Sequence, residues 1–443
     1  MSELSAERRW AEAFAAAASE RAGEPAWLEA ARKAALARFA ELGVPTRRHE
    51  EWKYTSAERI GRVAWRPAPA APPAADALAA LELPLADLPR LVFVNGRFAP
   101  DLTQVEGLPV GVVASDARAL WAHEGAWLEP LLALPSALAE RAFAALAAAM
   151  APDAAVVRVG RGVEAGPLAV LFLSAPGEDA AVWPRLVVEA EAGARLSLLE
   201  IHAGPAGGER QLRNALTQVT VGADAAVDHA RLQLDGAGAT HLGHVHAGVA
   251  RDGRYASRTV ALGAAVSRLE LVVTLDGEGA EATLDGLYVA AGGQHSDNRT
   301  TVDHARPHGS SRELYKGVLS GRSRGVFSGK VIVRKDAQKT NAQQHNANLL
   351  LTGEAEVDSK PQLEIEADDV RCSHGSTIGQ LEEDALFYLR SRGLDAGAAR
   401  ALLVRGFVGE IVEAIPDETL RERLLARVLV RLAGAGVRAE AAS

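Results

Sequence analysis

The sequence predicts a mainly β protein, with a parallel β-helix core flanked by N-terminal and C-terminal α-helical regions. Between Ala155 and Val370 the helical period disappears, and short runs of β-forming residues alternate with clusters of Gly, Asp, Asn and Ser. This texture covers more residues than a small barrel uses, and a weak internal echo favours stacked coils that bury their apolar residues on one another. The echo aligns Asp228, Asp285, Ser328 and Asp358 at irregular intervals. A large β-sandwich is the alternative.

The composition indicates a soluble globular protein of two or three structural regions. The chain has 443 residues, of which 48% are hydrophobic and 24% are charged. Because the formal net charge of -9 does not attract a negatively charged phosphate backbone, we expect no nucleic acid partner. We expect no membrane segment either, because no apolar run approaches spanning length, and the first residues lack the apolar stretch of a signal peptide. The chain also has only one cysteine, which cannot close an internal disulfide of the kind that secreted proteins use. The expected compartment is therefore the cytoplasm.

Residues 1–150 are predicted to form a mostly helical N-terminal region. Helical spacing of apolar residues runs from Glu7 to about Leu42, and again from about Leu128 to Met150. Between these two stretches, a Pro-rich segment near residues 67–74 is typical of a linker or an extended surface strap. Asn95 and Gly96 stand between two apolar runs and predict the turn of a β-hairpin.

The β-helix core is assigned to residues 151–371, and a C-terminal helical domain to residues 372–443. Thr377, with Gln380 three positions later, has the form of a capping box that would open the first C-terminal helix. Asp417 is predicted to cap the last helix at its N-terminus.

The only cysteine, Cys372, is separated from His374 by one residue, at the junction between strands and helices. If the segment is extended, both side chains point to the same face. Thiolate is a soft ligand that suits zinc, copper(I) and iron–sulfur clusters, and imidazole suits iron and zinc. Two other interpretations remain open. An isolated thiol is often a small buried apolar group, and a Cys–His pair can be a nucleophile, although no hydrolase signature surrounds this one.

The number of ligands decides what such a site requires. A stable iron–sulfur cluster is normally held by about four protein ligands, mostly thiolates. Because this chain has a single thiol, any cluster that it contacts must take its remaining ligands from another chain. The site is therefore expected at an interface.

Two groups of histidines are weaker candidates for a metal site. His244 and His246 share a strand face near His241 and could bind zinc, but a polar strand edge is preferred because no acid or cysteine lies at ligand spacing. The other group is predicted to lie in a hydrogen-bonded loop and comprises His295, His304 and His308.

The segments Ala337–Thr352 and Lys360–Leu394 resemble the signature block of the SufB/SufD family of iron–sulfur cluster assembly proteins. The similarity extends to S-R-E-L-Y-K-G-V-L and V-F-S-G-K-V-I-V upstream, and to the early G-V-P-T-R-R-H-E-E-W-K-Y-T and F-V-N-G-R-F. It runs in order across nearly the whole chain. Since the SufB branch is longer and carries several cysteines, a single cysteine favours the SufD branch.

The resemblance implies a right-handed parallel β-helix and a non-catalytic role as a scaffold subunit of the SUF assembly system. Such a subunit pairs with SufB through the β-helix and binds the ATPase SufC, where the ATPase activity resides, through its C-terminal helices. It contributes to the interface site where a nascent cluster is built, and it is linked to iron entry. In isolation it could form a homodimer. A reduced flavin has been associated with the complex, but no residue here marks its site.

The resemblance also implies roles for particular residues. His374 would be an interface ligand or an iron-positioning base, and Cys372 a transient ligand, a redox-sensitive gate or a packed residue. The expected SufC-docking contacts are Leu386, Phe387, Tyr388, Leu389, Arg390, Arg392 and Phe407. The alternative from a different class is a stand-alone β-helix enzyme acting on a carbohydrate, which would carry clustered carboxylates or basic residues along one face.

Overall fold

The computed structural model describes residues 5–71, 75–415 and 417–437. Helices and short strands form the part of the chain that precedes the core. In order they are α1 (Ala6–Ala16), α2 (Ala26–Leu42), α3 (Ala57–Arg62), β1 (Arg66–Pro67), α4 (Ala75–Ala79), β2 (Arg90–Val94), β3 (Arg97–Phe98), β4 (Val112–Asp116), α5 (Ala117–Leu132) and α6 (Ala142–Met150).

The stretch predicted to be helical from Glu7 to Leu42 is divided into two helices. α1 starts after Ser5, whose side chain accepts a hydrogen bond from the Arg8 amide. Gly23, with φ of 87°, lies in the break, and Gly43, with φ of 65°, ends α2. Glycine adopts such positive φ values without steric cost, so the chain turns at these two positions.

The second predicted helix, from Leu128 to Met150, is also divided. It covers the end of α5 and all of α6, which a short 3₁₀ turn at Ser136–Leu138 separates. Pro135 stands just before this turn, and a proline disfavours helical geometry in the residue that precedes it.

The predicted hairpin is confirmed. β2 and β3 pair antiparallel across Asn95 and Gly96, whose φ values of 51° and 76° are those of a two-residue type I′ turn. The Pro-rich segment starts as a strap on the surface of the core, because the Ala68 amide donates to the Ala181 carbonyl at 2.8 Å. Its residues 72–74 lie outside the described ranges.

Two sheets of mostly parallel strands coil into a β-solenoid of about eight turns, which confirms the predicted fold class. From the first coil to the last, the chain passes back and forth between the two sheets. The strands are β5 (Ala155–Val159), β6 (Glu164–Leu173), β7 (Ala180–Val182), β8 (Arg185–Ala190), β9 (Arg195–Ala203), β10 (Gln211–Val221), β11 (Ala226–Leu234), β12 (Thr240–Val249), β13 (Arg254–Ala261), β14 (Val266–Leu275), β15 (Glu281–Ala290), β16 (His295–His304), β17 (Ser310–Leu319), β18 (Arg324–Val333), β19 (Asn341–Leu350), β20 (Glu356–Ile365) and β21 (Arg371–Gly379).

The coils repeat at intervals of nearly thirty residues. Ala226 pairs with Arg254, Arg254 with Glu281, and Glu281 with Ser310, which are steps of 28, 27 and 29 residues. Alternate side chains of each strand point between the sheets and form a core of Val, Leu, Ala and aromatic residues. The inward-facing side chains of successive coils therefore lie one above another and form columns along the solenoid.

The alignment proposed from the sequence echo is wrong by two residues. Asp228 pairs with Ala256, which pairs with Thr283, so Asp285 lies two positions further along its strand. In the other sheet, Asp358 pairs with Val326 and not with Ser328. Corners of unequal length hide the true register from a comparison of sequence segments.

The two ends of the solenoid differ. At the first coil, β4 pairs with β5 and β2 with β6, so strands of the N-terminal region extend both sheets. At the last coil, β20 and β21 each have one strand neighbour in their sheet, and no strand of the described chain pairs with their other edges.

Three C-terminal helices follow the last coil: α7 (Glu383–Ser391), α8 (Ala396–Val412) and α9 (Glu418–Leu432). The apolar residues of α8 and α9 join those on the outward face of the β9 sheet in one cluster. Asp417 caps α9 as predicted, because its side chain accepts from the Leu420 amide at 2.6 Å. The predicted capping box is wrong: Thr377 lies inside β21, and α7 begins at Glu383. None of the described helices combines the length and the apolar character that crossing a membrane requires.

Candidate functional site

Cys372 and His374 lie in β21, the last strand of the solenoid. β21 pairs with β19, where Ala342 stands beside Cys372 and Gln344 beside His374. Ala342 and Gln344 are inward-facing and only 1% and 3% exposed, whereas Cys372 is half-buried and His374 is exposed. The two residues thus continue inward-facing columns at the end of the solenoid, where the described part of the chain places no further coil.

Cys372 packs on the end of the hydrophobic core. It contacts a small cluster formed by Val331, Val333, Ala337, Ala342 and Ala367. Burial raises the pKa of the Cys372 thiol, and a hydrogen bond with the Ala342 backbone offsets part of this effect. The thiol therefore keeps its proton at neutral pH, and a metal ion would have to displace that proton to bind.

His374 offers its imidazole to the solvent at this open end. Within the described ranges, no hydrogen bond involves its ring. Both ring nitrogens are therefore accessible to a metal ion or to a partner. The second acceptor that normally orients a ligating histidine would have to come from outside these residues.

Along its free edge, β21 presents main-chain amides that pair with no described strand. The Arg371 amide donates to the Thr340 carbonyl at 2.9 Å, so the odd-numbered residues of β21 bond to β19. In a parallel pair, successive residues point their amides to opposite sides. The amides of Cys372, His374 and Ser376 consequently point away from β19, toward an edge that can accept another strand.

A chain of hydrogen bonds runs inside the solenoid to this end. The buried Tyr288 hydroxyl donates to Asn348, and the Asn348 amide donates to Asn346 Oδ1 at 2.7 Å. Ser359 Oγ donates to the same Asn346 oxygen at 2.9 Å, and Ser376 Oγ donates to Ser359 Oγ at 2.7 Å. The inward surface next to His374 is therefore polar and internally bonded, which fixes the spacing of β20 and β21.

Sequence reasoning missed the residues that surround the pair. Ser376 and Ile378 share the inward face with His374, and Ile378 is 53% exposed. On β20, Ile365 is also partly uncovered, at 43%. The alternation in C-S-H-G-S-T-I places Ser376 and Ile378 on the face of His374, so the period of two extended beyond His374 would have found these two residues.

The site is incomplete as a metal centre in the described part of the chain. No group of three or more His, Cys, Asp or Glu side chains there could hold a metal ion. Cys372 and His374 supply at most two ligands of the roughly four that a cluster needs. A cluster at this position requires ligands from a second molecule.

The histidines of β12 are not a polar strand edge, because β12 is a central strand and two of them are buried. His241 faces the interior, where its Nδ1 lies 2.8 Å from Asp235. His244 faces outward under the N-terminal region, 3.3 Å from Glu270 on the next strand. His244 and His246 share a face of β12 as predicted, but His241 points to the opposite side of the sheet, so the three do not converge on one metal ion.

The predicted loop of histidines is also corrected. His295 and His304 are the first and last residues of β16, and His308 lies in the turn that follows, with φ of 60°. The His295 Nε2 is 2.8 Å from the Thr55 hydroxyl, so this histidine anchors the N-terminal region to the solenoid.

The predicted SufC-docking residues divide into exposed and packed ones. On α7, Phe387 and Tyr388 are 75% and 56% exposed, and the Arg392 guanidinium lies 5.1 Å from the centre of the Tyr388 ring. Arg390 is also exposed, whereas Leu386 is buried and Leu389 is half-buried.

Phe407 of α8 is turned toward the solenoid. Its ring lies 4.8 Å from the Lys316 ammonium, and its carbonyl accepts a hydrogen bond from the same group at 2.8 Å. Lys316 also pairs with Glu410 at 2.7 Å, which fixes α8 on β17. Phe407 is therefore half-buried in an intramolecular contact, and the two exposed aromatic residues of the predicted set lie on α7.

Comparisons with known proteins agree with this architecture. Residues 172–407 match the family model described as the SufBD core domain of SUF system FeS cluster assembly, and residues 5–167 match the SufBD protein N-terminal region. The chain is similar to the iron–sulfur cluster assembly protein SufD of Escherichia coli, with 34% identity over 90% of this chain and 92% of that protein.

Two further relatives come from Synechocystis and Arabidopsis thaliana. An iron–sulfur cluster assembly SufBD family protein of Synechocystis is 35% identical over 89% of this chain and 88% of its own length. The chloroplastic protein ABCI7 of Arabidopsis thaliana is 32% identical over 54% of this chain and 51% of its own. The bacterial and cyanobacterial similarities span both the N-terminal region and the solenoid.

Proposed function

Because the chain belongs to the SufBD family of iron–sulfur cluster assembly proteins, we propose that it is a non-catalytic scaffold subunit that pairs with SufB through the open end of its solenoid. The observation that carries the proposal is that inward-facing residues are exposed at the last coil. In the earlier coils the corresponding residues are covered by the coil that follows. A second solenoid end would cover His374 and Ile378 and would pair with the free edge of β21. Without SufB, the same surface would serve for a homodimer.

His374 supplies the ligand of this chain to a nascent cluster, which is the cargo of the complex. Imidazole is an adequate iron ligand, and its exposed position lets it meet iron before or during closure of the interface. The remaining ligands come from SufB, since the described residues offer no complete site. This division of ligands makes the cluster site dependent on both subunits and gives His374 a role in iron entry.

Cys372 acts mainly as a packing residue in this proposal. Its side chain covers the end of the core, and burial disfavours the thiolate that a ligand needs. The two neighbouring residues therefore contribute in different ways, one by binding and the other by supporting the strand.

SufC binds the exposed side of α7. Phe387 and Tyr388 form an exposed aromatic pair, and arginines at 390 and 392 flank them. Aromatic and arginine side chains are enriched among residues that dominate binding energy at interfaces. Only three residues separate α7 from β21, so a movement of α7 caused by SufC would be transmitted directly to the open end. The membership of the family gives no support to the alternative of a carbohydrate enzyme.

The experiment is anaerobic cluster assembly on this chain with SufB and SufC, using the wild type and His374→Ala. We expect the His374→Ala complex to form but to hold much less cluster by iron and sulfide analysis and by absorption spectra. Cys372→Ala should leave the yield close to that of the wild type.

His345→Ala is the matched control, because His345 is exposed on β19 but lies beside inward-facing Gln344, on the opposite face of the sheet. A full cluster yield in the His374→Ala complex would overturn the ligand assignment. Failure of the wild-type chain to associate with SufB would overturn the scaffold proposal itself.

A further inference from the structure

A cavity of about 410 Å³ lies between α9 and the outward face of the β11 and β13 sheet, away from the open end. Its walls include Leu234, Leu262 and Val430. Arg423, Arg427 and Arg431 also line it. The three arginines follow one another at intervals of four residues and so share one side of α9.

The arginines lack the acidic partners that usually accompany such a row. None of the three has Asp or Glu three or four residues away along the helix, and none makes an ion pair with any residue in the described ranges. Like charges four residues apart on a helix repel each other and destabilise it. Arg421 on the same helix differs, since Glu418 precedes it by one turn and its guanidinium donates to two carbonyls of the preceding segment.

The fold holds two of the three guanidinium groups at the cavity, and Arg423 is exposed at its edge. Arg427 donates a hydrogen bond to the Leu81 carbonyl, which fixes one wall. The Arg431 Nε is buried and has no hydrogen-bond partner among the described residues. Burial lowers the pKa of Arg431, which reflects the cost of a desolvated cation without a counter-charge. The helix dipole stabilises a positive charge in the last turn of α9, where Arg431 lies. It does not stabilise Arg423, which lies two turns earlier.

Two carboxylates also line the cavity, and they do not neutralise the row. Asp235 is bound by Arg213 and His241, each at 2.8 Å, so its charge is already matched inside the solenoid. Glu82 is exposed and remains the one acid without an ion pair on the described walls. The net charge of the side chains that line this cavity is therefore positive, in a chain whose formal net charge is -9.

We propose that this cavity binds a small organic phosphate, whose phosphate group is held by Arg423 and Arg427 and whose less polar portion lies against Leu262 and Val430. Guanidinium groups bind phosphate through paired N–H donors, and a cavity of this size takes one small molecule. An extended acidic peptide fits less well, because the arginines face a concavity with apolar walls. The proposal concerns a surface distinct from the cluster site and does not depend on the role of His374.

The test is calorimetric titration of the full chain with adenosine 5′-monophosphate, inorganic phosphate and adenosine. We expect the monophosphate to bind, inorganic phosphate to compete with it more weakly, and adenosine not to bind. In Arg423→Gln/Arg427→Gln the dissociation constant should rise about tenfold or more. Binding should also weaken as salt is added.

Arg405→Gln is the control variant, because it removes the same charge from an exposed position on α8. The single variant Arg423→Gln avoids loss of the Arg427 contact with Leu81, and it should still weaken binding. The proposal is contradicted if neither phosphate compound binds the wild type, if adenosine binds as well as the monophosphate, or if the double variant binds like the control. Binding of a short polyglutamate peptide alone would also contradict it, in favour of an acidic partner.

Discussion

At the scale of single residues, the solenoid interior carries an acid that has no role in the proposed cluster site. Glu313 is 1% exposed and lies beside Gln344, in the column that ends at His374. The Thr300 hydroxyl donates to Glu313 Oε2 at 2.7 Å. Burial raises the pKa of this carboxyl from 4.5 to about 7. The protein therefore keeps a proton next to the open end at pH values where an exposed glutamate is ionised.

This pKa predicts a pH-dependent effect of Glu313→Gln. Between pH 4.5 and 7 the folded chain holds a proton that the unfolded chain releases, so the carboxyl costs stability as pH rises through this window. The full shift corresponds to about 3 kcal/mol. Glutamine keeps an oxygen for Thr300 but does not titrate. The variant should gain free energy of unfolding over the wild type as pH goes from about 5 to about 8.

Denaturant unfolding of both proteins across this pH range measures the effect. Glu354→Gln serves as the control, since Glu354 is exposed in the turn before β20. A difference between Glu313→Gln and the wild type that stays constant with pH would exclude the raised pKa.

At the scale of elements, β21 is an edge strand whose two sides differ. The amides of Ser373 and Gly375 point to β19, and those of Cys372, His374 and Ser376 to the free edge. In residue-resolved hydrogen exchange of the isolated, dilute chain, we expect slow and fast amides to alternate along this strand. Addition of SufB should slow the even-numbered amides.

The matched strand for this measurement is β17, which has neighbours on both sides. Its amides should show no alternation and little change on addition of SufB. If the even-numbered amides of β21 stay fast in the complex, the two proteins do not pair through this edge.

The second element with a testable surface is α7. Phe387→Asp should weaken SufC binding by about 2 kcal/mol or more, because the mutation places a charge at the centre of the proposed contact. The fold should be unaffected, since Phe387 is 75% exposed. Val110→Asp is the control, at a side chain that is 99% exposed in the N-terminal region. Affinity measurements that give equal SufC binding for the two variants would refute the docking site.

At the scale of the whole molecule, the solenoid was predictable because the period of two and the Gly- and Asp-rich corners are local signals. The register was not, since corners of unequal length place Asp228, Ala256 and Thr283 in one column. Thr377 was misassigned because pairing of β21 with β19 prevails over a local capping pattern.

The candidate site could be predicted in part. The common face of Cys372 and His374 follows from alternation alone, and the expectation of a partner follows from the ligand count. The hydrogen bonds from Asn346 to Ser359 and on to Ser376 join residues on three different strands. No sequence pattern specifies such contacts, because they depend on the three-dimensional stacking of the last two coils.

The proposed assembly rests on one asymmetry of the solenoid. Strands of the N-terminal region extend the sheets at the first coil, and no described strand does so at the last. The N-terminal end is therefore covered by described strands of the chain itself, whereas we propose that a second molecule covers the C-terminal end. The proposed cluster site lies at this uncovered end.

The most direct test of this account is pulsed electron–nuclear double resonance on a reduced cluster assembled on the complex, with ¹⁵N-histidine in this chain only. A ligating His374 predicts a ¹⁵N hyperfine coupling that disappears in His374→Ala and persists in His345→Ala. A fully assembled cluster that shows no ¹⁵N coupling from this chain would contradict the claim that the solenoid end supplies one of its ligands.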